Sequence, residues 1–556
     1  MGVKRISYDV KEVKSIKELM QNSVSEAGDR DAFKYKEGKE VVSVTYSEFQ
    51  NDTFALGAAL RNLGVEGKHI SVIGENSYNW LTVYLTVLKS KSVLVPIDKE
   101  LPLKDIINVL KHSESEVLFY SDRYEKHIKE ISEALPQVKY FIGFDKKDDE
   151  SESNLSYKKF MESGKKIYEK DGYEEPDIDT NAMKMIIYTS GTTGLAKGVM
   201  LTEHNLLSVA IGALKTTKIQ KTCLSVLPYH HTYEAVAGIL TELLNQTTIC
   251  INDSLKNVAK NIELFKPEHI YVVPAFAEMF YKKIWANAEK TGKAELLKKL
   301  IKISNALMKV GIDLRRKLFA SVINGLGGNL KEIVCGGAAL RPEVGVFFNS
   351  IGIMFFNGYG ITECSPLVSV NTPYLNDPYT VGLPLECCQI KIENETEEGI
   401  GEICVKGDIV MLGYYKDEER TKEVLKDGWF STGDFGKVNE KGQLLITGRK
   451  KNIIVLENGK NVYPEEIENY IMGIPYIQEV VVKPNVNEHG FNGNNLCAEV
   501  FLNAEKVAEL GEINILEKVK EDINAVTAEL PVYKKVSEVE IREKEFEKTT
   551  TNKIKR

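Results

Sequence analysis

The chain has 556 residues, 43% hydrophobic and 27% charged, with 72 Lys and Arg against 80 Asp and Glu for a net charge of −8. That length exceeds one ordinary core and predicts two to four domains of globular, soluble composition. The acidic balance supplies no general basic field to recruit nucleic acid or an anionic bilayer, so nucleic acid is excluded as an expected partner, while a peripheral membrane contact and a homodimer stay open.

In chain order, Met1-Gly2 is followed by Ile6 where a myristoylation signal needs Ser or Thr, and no secretory signal peptide is recognisable. The runs 70–74, 92–97 and 116–120 read as buried strands and 80–89 as a helix between two of them. This alternation predicts parallel sheets covered by helices. The longest apolar stretch, 80–97, is interrupted by Lys89 and Lys91 and is too short to span a bilayer. Residues 145–176 are acidic and lysine-rich, which predicts surface loops and short helices. From 281 to about 318, many lysines accompany Leu296, Leu297, Leu300, Ile301 and Ile303 at helical spacing, predicting an amphipathic helical insertion. From about 381 the texture changes to short strands and turns such as 401–407. Beyond Lys451 a compact unit follows, with strands expected at 479–482 and 498–501. The expected fold is therefore α/β. A large N-terminal domain of parallel α/β sheets (1–450) includes a β-barrel-like subdomain at about 381–447, and a small mobile α/β C-terminal domain spans 451–556. No carrier-protein domain is expected after Lys553.

The eight cysteines, at 223, 250, 335, 364, 387, 388, 404 and 497, form no C-x-x-C pair and no zinc-site spacing. They read as reduced thiols of a cytoplasmic protein.

The most informative stretch, 188–198, reads Tyr-Thr-Ser-Gly-Thr-Thr-Gly-Leu-Ala-Lys-Gly directly after Met185-Ile186-Ile187. Glycines let successive backbone N–H groups turn toward an anion, and hydroxyls and a lysine add donors and charge. The segment reads as a loop that grips nucleotide phosphates. It is not a Walker P-loop, because Ala196 stands five residues after Gly191 and Gly198 follows Lys197.

Four further segments follow it: Gly358-Tyr359-Gly360-Ile361-Thr362-Glu363, Ser431-Thr432-Gly433-Asp434, Gly448-Arg449-Lys450-Lys451-Asn452, and Lys548-Thr549 through Lys553. Together and in this order they resemble the motifs of the adenylate-forming superfamily, which contains acyl-CoA synthetases, adenylation domains of peptide synthetases, and luciferases. The resemblance runs from Thr45-Tyr46-Ser47-Glu48-Phe49 to Arg556. The helical insertion and the run 448–468 are similar to fatty acyl-CoA synthetases of medium to long chain.

The resemblance implies a site. Thr189, Ser190, Gly191, Thr192, Thr193 and Gly194 would hold the β- and γ-phosphates of ATP, with Lys197 nearby. Glu363 would bind Mg²⁺, since a hard cation shared by one carboxylate and phosphate oxygens is the expected magnesium pattern. Thr362 would donate to the α-phosphate. Adenine would lie between Tyr359-Gly360 and the small residues Gly336, Gly337 and Ala338. Asp434 would accept from the ribose hydroxyls, with Arg449 reaching the same sugar. Lys553 would bridge the substrate carboxylate and the α-phosphate; Asn552 stands before it where many relatives have Gly. His231 would sit at the acyl entrance, Lys451 would be the hinge of the C-terminal domain, and Ala210, Gly212 and Ala213 would line an acyl pocket.

The implied activity is ATP-dependent, AMP-forming activation of a fatty acid and its transfer to coenzyme A. Transfer to an acyl carrier protein, and a non-catalytic acyl- or nucleotide-binding relative, are the alternatives.

Overall fold

A computed structural model describes residues 5–147, 151–189, 197–457, 460–486, 492–511, 513–548 and 554–556. Ser190, Gly191, Thr192, Thr193, Gly194 and Lys553 lie outside the described residues.

Val93–Ile97 and Val117–Tyr120 are buried at every position. Continuous apolar runs of this kind belong in parallel sheets covered on both faces. Among the described residues, an eight-stranded sheet runs Gly413–Tyr414, Lys197–Thr202, Met183–Thr189, Val93–Ile97, His69–Ile73, Val117–Tyr120, Tyr140–Gly143, Asn154–Ser156. Its central pairs are parallel, and its second strand, Lys197–Thr202, is antiparallel to both of its neighbours.

A nine-stranded sheet packs into the same hydrophobic core, in the order Leu383–Pro384, Leu367–Val370, Met354–Gly360, Glu332–Cys335, His269–Val272, Thr222–Ser225, Thr248–Ile251, Asp31–Glu37, Glu40–Thr45. The expected small β subdomain is a five-stranded antiparallel sheet of Cys388–Glu393, Gly401–Gly407, Leu425–Lys426, Trp429–Val438 and Leu444–Arg449.

The chain after residue 451 has its own core, with Ile467, Ile471, Val500, Val519 and Ile523 almost fully buried. There Pro464–Ile471 and Ile515–Val526 accompany a three-stranded sheet of Ile477–Val486, Asn492–Leu502 and Val536–Arg542. The fold is thus a large N-terminal domain of mixed, largely parallel sheets plus a small C-terminal α/β domain.

Helix starts follow local chemistry. Thr45 and Glu48 form a reciprocal capping box for Tyr46–Asn62, and Ser77 accepts from Trp80 N to open Tyr78–Leu88.

Two sequence expectations change. The stretch 145–176 is not loops and short helices: Tyr157–Asp171 is one fifteen-residue helix. It lies so close to Tyr46–Asn62 that a Cβ on Gly164 would come within 2.2 Å of Ala55 O, a contact that sequence polarity does not reveal. Lys89, read as a charge breaking an apolar run, is buried, and its Nζ lies 2.5 Å from Glu175 and donates to Thr53 Oγ1. The predicted insertion is two helices, Pro274–Lys290 and Ala294–Lys309, separated where Gly292 adopts φ +65°. All eight cysteines are free thiols, and no helix among the described residues is long and apolar enough to cross a membrane.

Glu234 lies in the π-helical segment Tyr233–Leu240, where Ser225 Oγ donates to its carboxyl. Burial raises its pKa to about 8, with Glu242 nearby pushing the same way. Between the ordinary carboxylate range and about 8 the folded state therefore holds a proton that the unfolded chain has lost. Stability should fall as pH rises through that window, by about tenfold in the folding equilibrium per pH unit. Chemical denaturation from pH 5 to 8.5 should show this slope, and Glu234→Gln should flatten it. An identical slope in the variant would place the lost proton elsewhere.

Candidate active site

The carboxyl ends of both large sheets meet at residues 226–233. Asn76, just past the strand His69–Ile73, donates to Leu227 O at 2.7 Å and accepts from Tyr229 N at 3.2 Å. Asp98, just past Val93–Ile97, lies 3.3 Å from His230 Nε2. Tyr233 OH reaches Val272 O at 3.3 Å and Val334 O at 3.0 Å, at the ends of two strands of the other sheet. Ligands of open α/β sheets bind outside such carboxyl ends.

His231 is half-buried with its ring 4.2 Å from that of His230. His230 is buried, and burial with the adjacent His231 holds it well below the usual histidine range, so it is a neutral wall residue. His231 is the more exposed of the two.

The strands Met183–Thr189 and Lys197–Thr202 form an antiparallel hairpin in which Thr189 pairs with Lys197 and Tyr188 with Gly198. Thr189 and Lys197, the described ends of that hairpin, are thereby held side by side in the sheet. Lys197 Nζ sits 5.0 Å over the ring of Tyr414, whose hydroxyl donates to Glu363 Oε1 at 2.8 Å. A short strap delivers that tyrosine. Thr202 and Asn205 cap the helix Glu203–Thr216 reciprocally, and Asn205 Nδ2 also donates to Asp408 O at 2.7 Å and Val410 O at 3.1 Å. Met411 N then donates to Glu363 O, and Gly413–Tyr414 adds to the sheet edge beside Lys197–Thr202.

Glu363 and Thr362 occupy a single 3₁₀ turn between Met354–Gly360 and Leu367–Val370. Gly360 is required there, because a Cβ would lie 2.3 Å from Pro366 O. Burial and Glu363 raise the Tyr414 phenol, so it remains a donor. Tyr414 occupies one oxygen of the Glu363 carboxylate, which leaves acceptor capacity on the other. The buried Glu363 carboxylate, beside the hairpin ends Thr189 and Lys197, is a donor of the kind that fits a Mg²⁺ shared with phosphate oxygens.

Tyr359 is buried, and its hydroxyl donates to Asp434 Oδ2 at 2.6 Å. Arg449 Nε lies 2.6 Å from Asp434 Oδ1, directly across the antiparallel pair in which Asp434 faces Arg449. Burial, with Asp434 next to it, holds the Tyr359 phenol protonated. The strand Glu332–Cys335 ends beside Asn357, so Gly336 lies against Gly358, and exposed Gly337 (φ +88°) and Ala338 follow. Small residues thus stand next to Tyr359 at one rim.

Lys451 is exposed in a single turn, Lys450–Asn452. Before it, Arg449 pairs with Asp434 and Lys450 with Glu402 at 2.5 Å; after it, Asn452 donates to Glu465 at 2.5 Å. Ala210, Gly212 and Ala213 are buried on Glu203–Thr216, which packs against Tyr233–Leu240 and Leu367–Val370. Gly212 abuts Cys387 and Leu385, so this part of the helix is in packing contact with protein.

Sequence reasoning missed Tyr414, Asn205 and the hydroxyl role of Tyr359. Their contacts span between 51 and 205 positions and leave no local spacing.

Residues 20–415 match the AMP-binding enzyme family, and residues 451–556 match the AMP-binding enzyme C-terminal domain. The chain belongs to the AMP-binding, adenylate-forming enzymes. As a member it is an adenylate-forming, acyl-activating ligase. It is similar to long-chain-fatty-acid–CoA ligase FadD15 of Mycobacterium bovis, 31% identical over 465 residues that cover 79% of this chain and 75% of that protein. The long-chain-fatty-acid–[acyl-carrier-protein] ligase AEE15 of Arabidopsis thaliana is 28% identical over 546 residues, covering 85% and 75%. In fold it is similar to O-succinylbenzoate CoA synthetase MenE of Bacillus subtilis in complex with ATP and magnesium, with TM-score 0.71, 20% identity, and coverage of 96% and 98%.

In this adenylate-forming enzyme, Asp434→Asn should keep the shape but lose the charge that holds Arg449 and Tyr359. A hydrogen bond to a charged group contributes about 1.5–3 kcal/mol, so kcat/KM for ATP should fall roughly ten- to a hundredfold. Steady-state kinetics at varied ATP test this, and an unchanged value would remove Asp434 from the nucleotide site.

Proposed function

We propose that this ligase activates a medium- or long-chain fatty acid with ATP as an acyl-adenylate and passes the acyl group to coenzyme A. The observation that carries the reading is the convergence of the Thr189–Lys197 hairpin ends, Glu363 and the Tyr359–Asp434–Arg449 chain on one rim. The similarity to a long-chain-fatty-acid–CoA ligase at 31% identity supports the acyl class.

A carboxylate must approach the α-phosphate of ATP, so two anions meet and catalysis depends on donors and cations around them. Thr189, Ser190, Thr192, Thr193 and backbone N–H groups of Gly191 and Gly194 hold the β- and γ-phosphates, with Lys197 supplying charge. Glu363 would hold Mg²⁺, which neutralises phosphate charge when bound. Thr362 donates to the α-phosphate, Asp434 and Arg449 hold the ribose, and Tyr359, Gly360, Gly336, Gly337 and Ala338 form the adenine slot. Lys553 bridges the carboxylate and the α-phosphate. His231 orients the acyl carboxylate at the entrance to an acyl tunnel bordered by Ala210 and Ala213, while Gly212 packs against Leu385 and Cys387.

After pyrophosphate leaves, rotation about Lys451 withdraws Lys553 and admits the thiol. The thiol gives up its proton to solvent as its sulfur attacks the acyl carbonyl, and AMP departs with the electrons of the broken C–O bond. The ties on either side of Lys451 support a pivot there, because they anchor its two flanks to different units. The similarity to a carrier-protein ligase over 85% of the chain keeps a phosphopantetheine arm as the competing acceptor.

Pyrophosphate release with ATP and Mg²⁺ should peak at medium or long chains across a panel from acetate to oleate and should need CoA for turnover. Turnover that needs holo-carrier protein instead would move the acceptor, and silence across the panel would overturn the fatty-acid reading. Lys553→Ala should lower adenylation by about 10²–10³-fold, the usual cost of one donor at developing charge. Thioester formation from supplied acyl-adenylate should be nearly unchanged; equal loss in both halves would contradict the assigned role.

A further inference from the structure

The insertion between Pro274 and Leu318 carries a surface that nothing in the activation chemistry uses. Six of the large hydrophobic side chains exposed among the described residues fall within nineteen consecutive positions: Leu296, Ile303, Met308, Val310, Ile312 and Leu314. Single exposed apolar residues are ordinary, but a concentrated group marks a contact surface. Leu296, Ile303 and Val310 recur every seven residues, so at 100° per residue they form one line along Ala294–Lys309 and its cap.

The opposite anchorage is firm. Leu297 is buried, Ser304 Oγ donates to Ser350 O at 3.1 Å, and Arg315 and Arg316 donate to Asn349 O and Leu330 O at 2.8 Å. The apolar line is therefore held outward on a docked element.

Charge selects what covers it. Residues 282–317 hold eleven Lys and Arg against three Asp and Glu, a local net of +8 in a chain whose total is −8. Lys299, Lys302 and Lys309 are exposed on Ala294–Lys309 itself, flanking the line. A second copy placing the same face here would set two +8 patches against each other. An apolar line with flanking lysines matches an interface of acyl chains and negative headgroups, the composition of helices that lie in a bilayer surface.

We propose that Ala294–Lys309 and the turn to Leu314 dock the protein on an anionic lipid bilayer. The helix lies in the headgroup plane with Leu296, Ile303 and Val310 toward the acyl chains and the lysines among the phosphates. The surface alone carries this, whatever acyl group the enzyme activates. For a ligase of fatty acids, it would place the chain at the phase where such substrates partition.

Flotation of the full chain with phosphatidylglycerol–phosphatidylcholine vesicles, against phosphatidylcholine alone, tests it. The chain should float with the anionic vesicles at low salt, lose most binding near 0.5 M salt, and stay behind with the neutral ones. Lys299→Gln, Lys302→Gln and Lys309→Gln together should weaken binding about a hundredfold, at roughly fivefold per charge. Leu296→Ser, Ile303→Ser and Val310→Ser together should abolish flotation. Far-UV circular dichroism and pyrophosphate release, which these positions do not enter, report that the variants are folded. Equal flotation with neutral vesicles, no flotation, or variants that float like the parent would each overturn the proposal. A concentration-dependent dimer in sedimentation velocity that the serine variant abolishes would assign the face to a second copy instead.

Discussion

The five residues from Tyr359 to Glu363 are where three sheets are pinned together, and the geometry of the site depends on those pins. Tyr359 belongs to the nine-stranded sheet and donates at 2.6 Å to Asp434 of the five-stranded sheet. Four residues on, Glu363 accepts at 2.8 Å from Tyr414 at the edge of the eight-stranded sheet. Both contacts join a phenol to a carboxylate under burial, where an unmade hydrogen bond is costly and a made one is strong. Three sheets are thereby held in register around these five residues.

The same carboxylates are the groups expected to meet substrate. Each phenol fills one oxygen and holds the plane of the carboxylate, which leaves the remaining acceptor capacity aimed from a rigid base. Preorganisation of this sort matters most for a reaction between two anions, because donors that must first reorganise stabilise little. The strap through Asn205 shows how far the support extends. One side chain caps its own helix and holds the carbonyls of Asp408 and Val410, and so sets Tyr414 against Glu363.

Much of the architecture was legible because parallel strands are short, apolar on both faces and punctuated by turns. The strands expected at 70–74, 92–97 and 116–120 appear as His69–Ile73, Val93–Ile97 and Val117–Tyr120. Those expected at 401–407, 479–482 and 498–501 lie within Gly401–Gly407, Ile477–Val486 and Asn492–Leu502. The motif residues could be named from the sequence because glycine, hydroxyl and carboxylate requirements are local. What escaped depends on distant partners. Tyr157–Asp171 looks like a solvated segment until Gly164 lets it sit on the Ala55 carbonyl. Lys89 looks like a break until Glu175 neutralises it. Tyr414 has no signature, since its role exists only once the strap folds across the hairpin.

Charge distribution carries one more consequence. With +8 concentrated between 282 and 317, the remainder of the chain carries −16. Near an anionic surface the two parts feel opposite forces, attraction at the insertion and repulsion elsewhere, within a screening distance of about 8–10 Å at physiological salt. Such a dipole does more than bind; it orients. The long helix Pro274–Lys290 begins beside Gly337, where Val273 lies against that glycine, and leads directly into the basic element. A bilayer that captures the insertion therefore also sets the angle at which the rim of the site meets it. Orientation is obtained from the same lysines that give affinity.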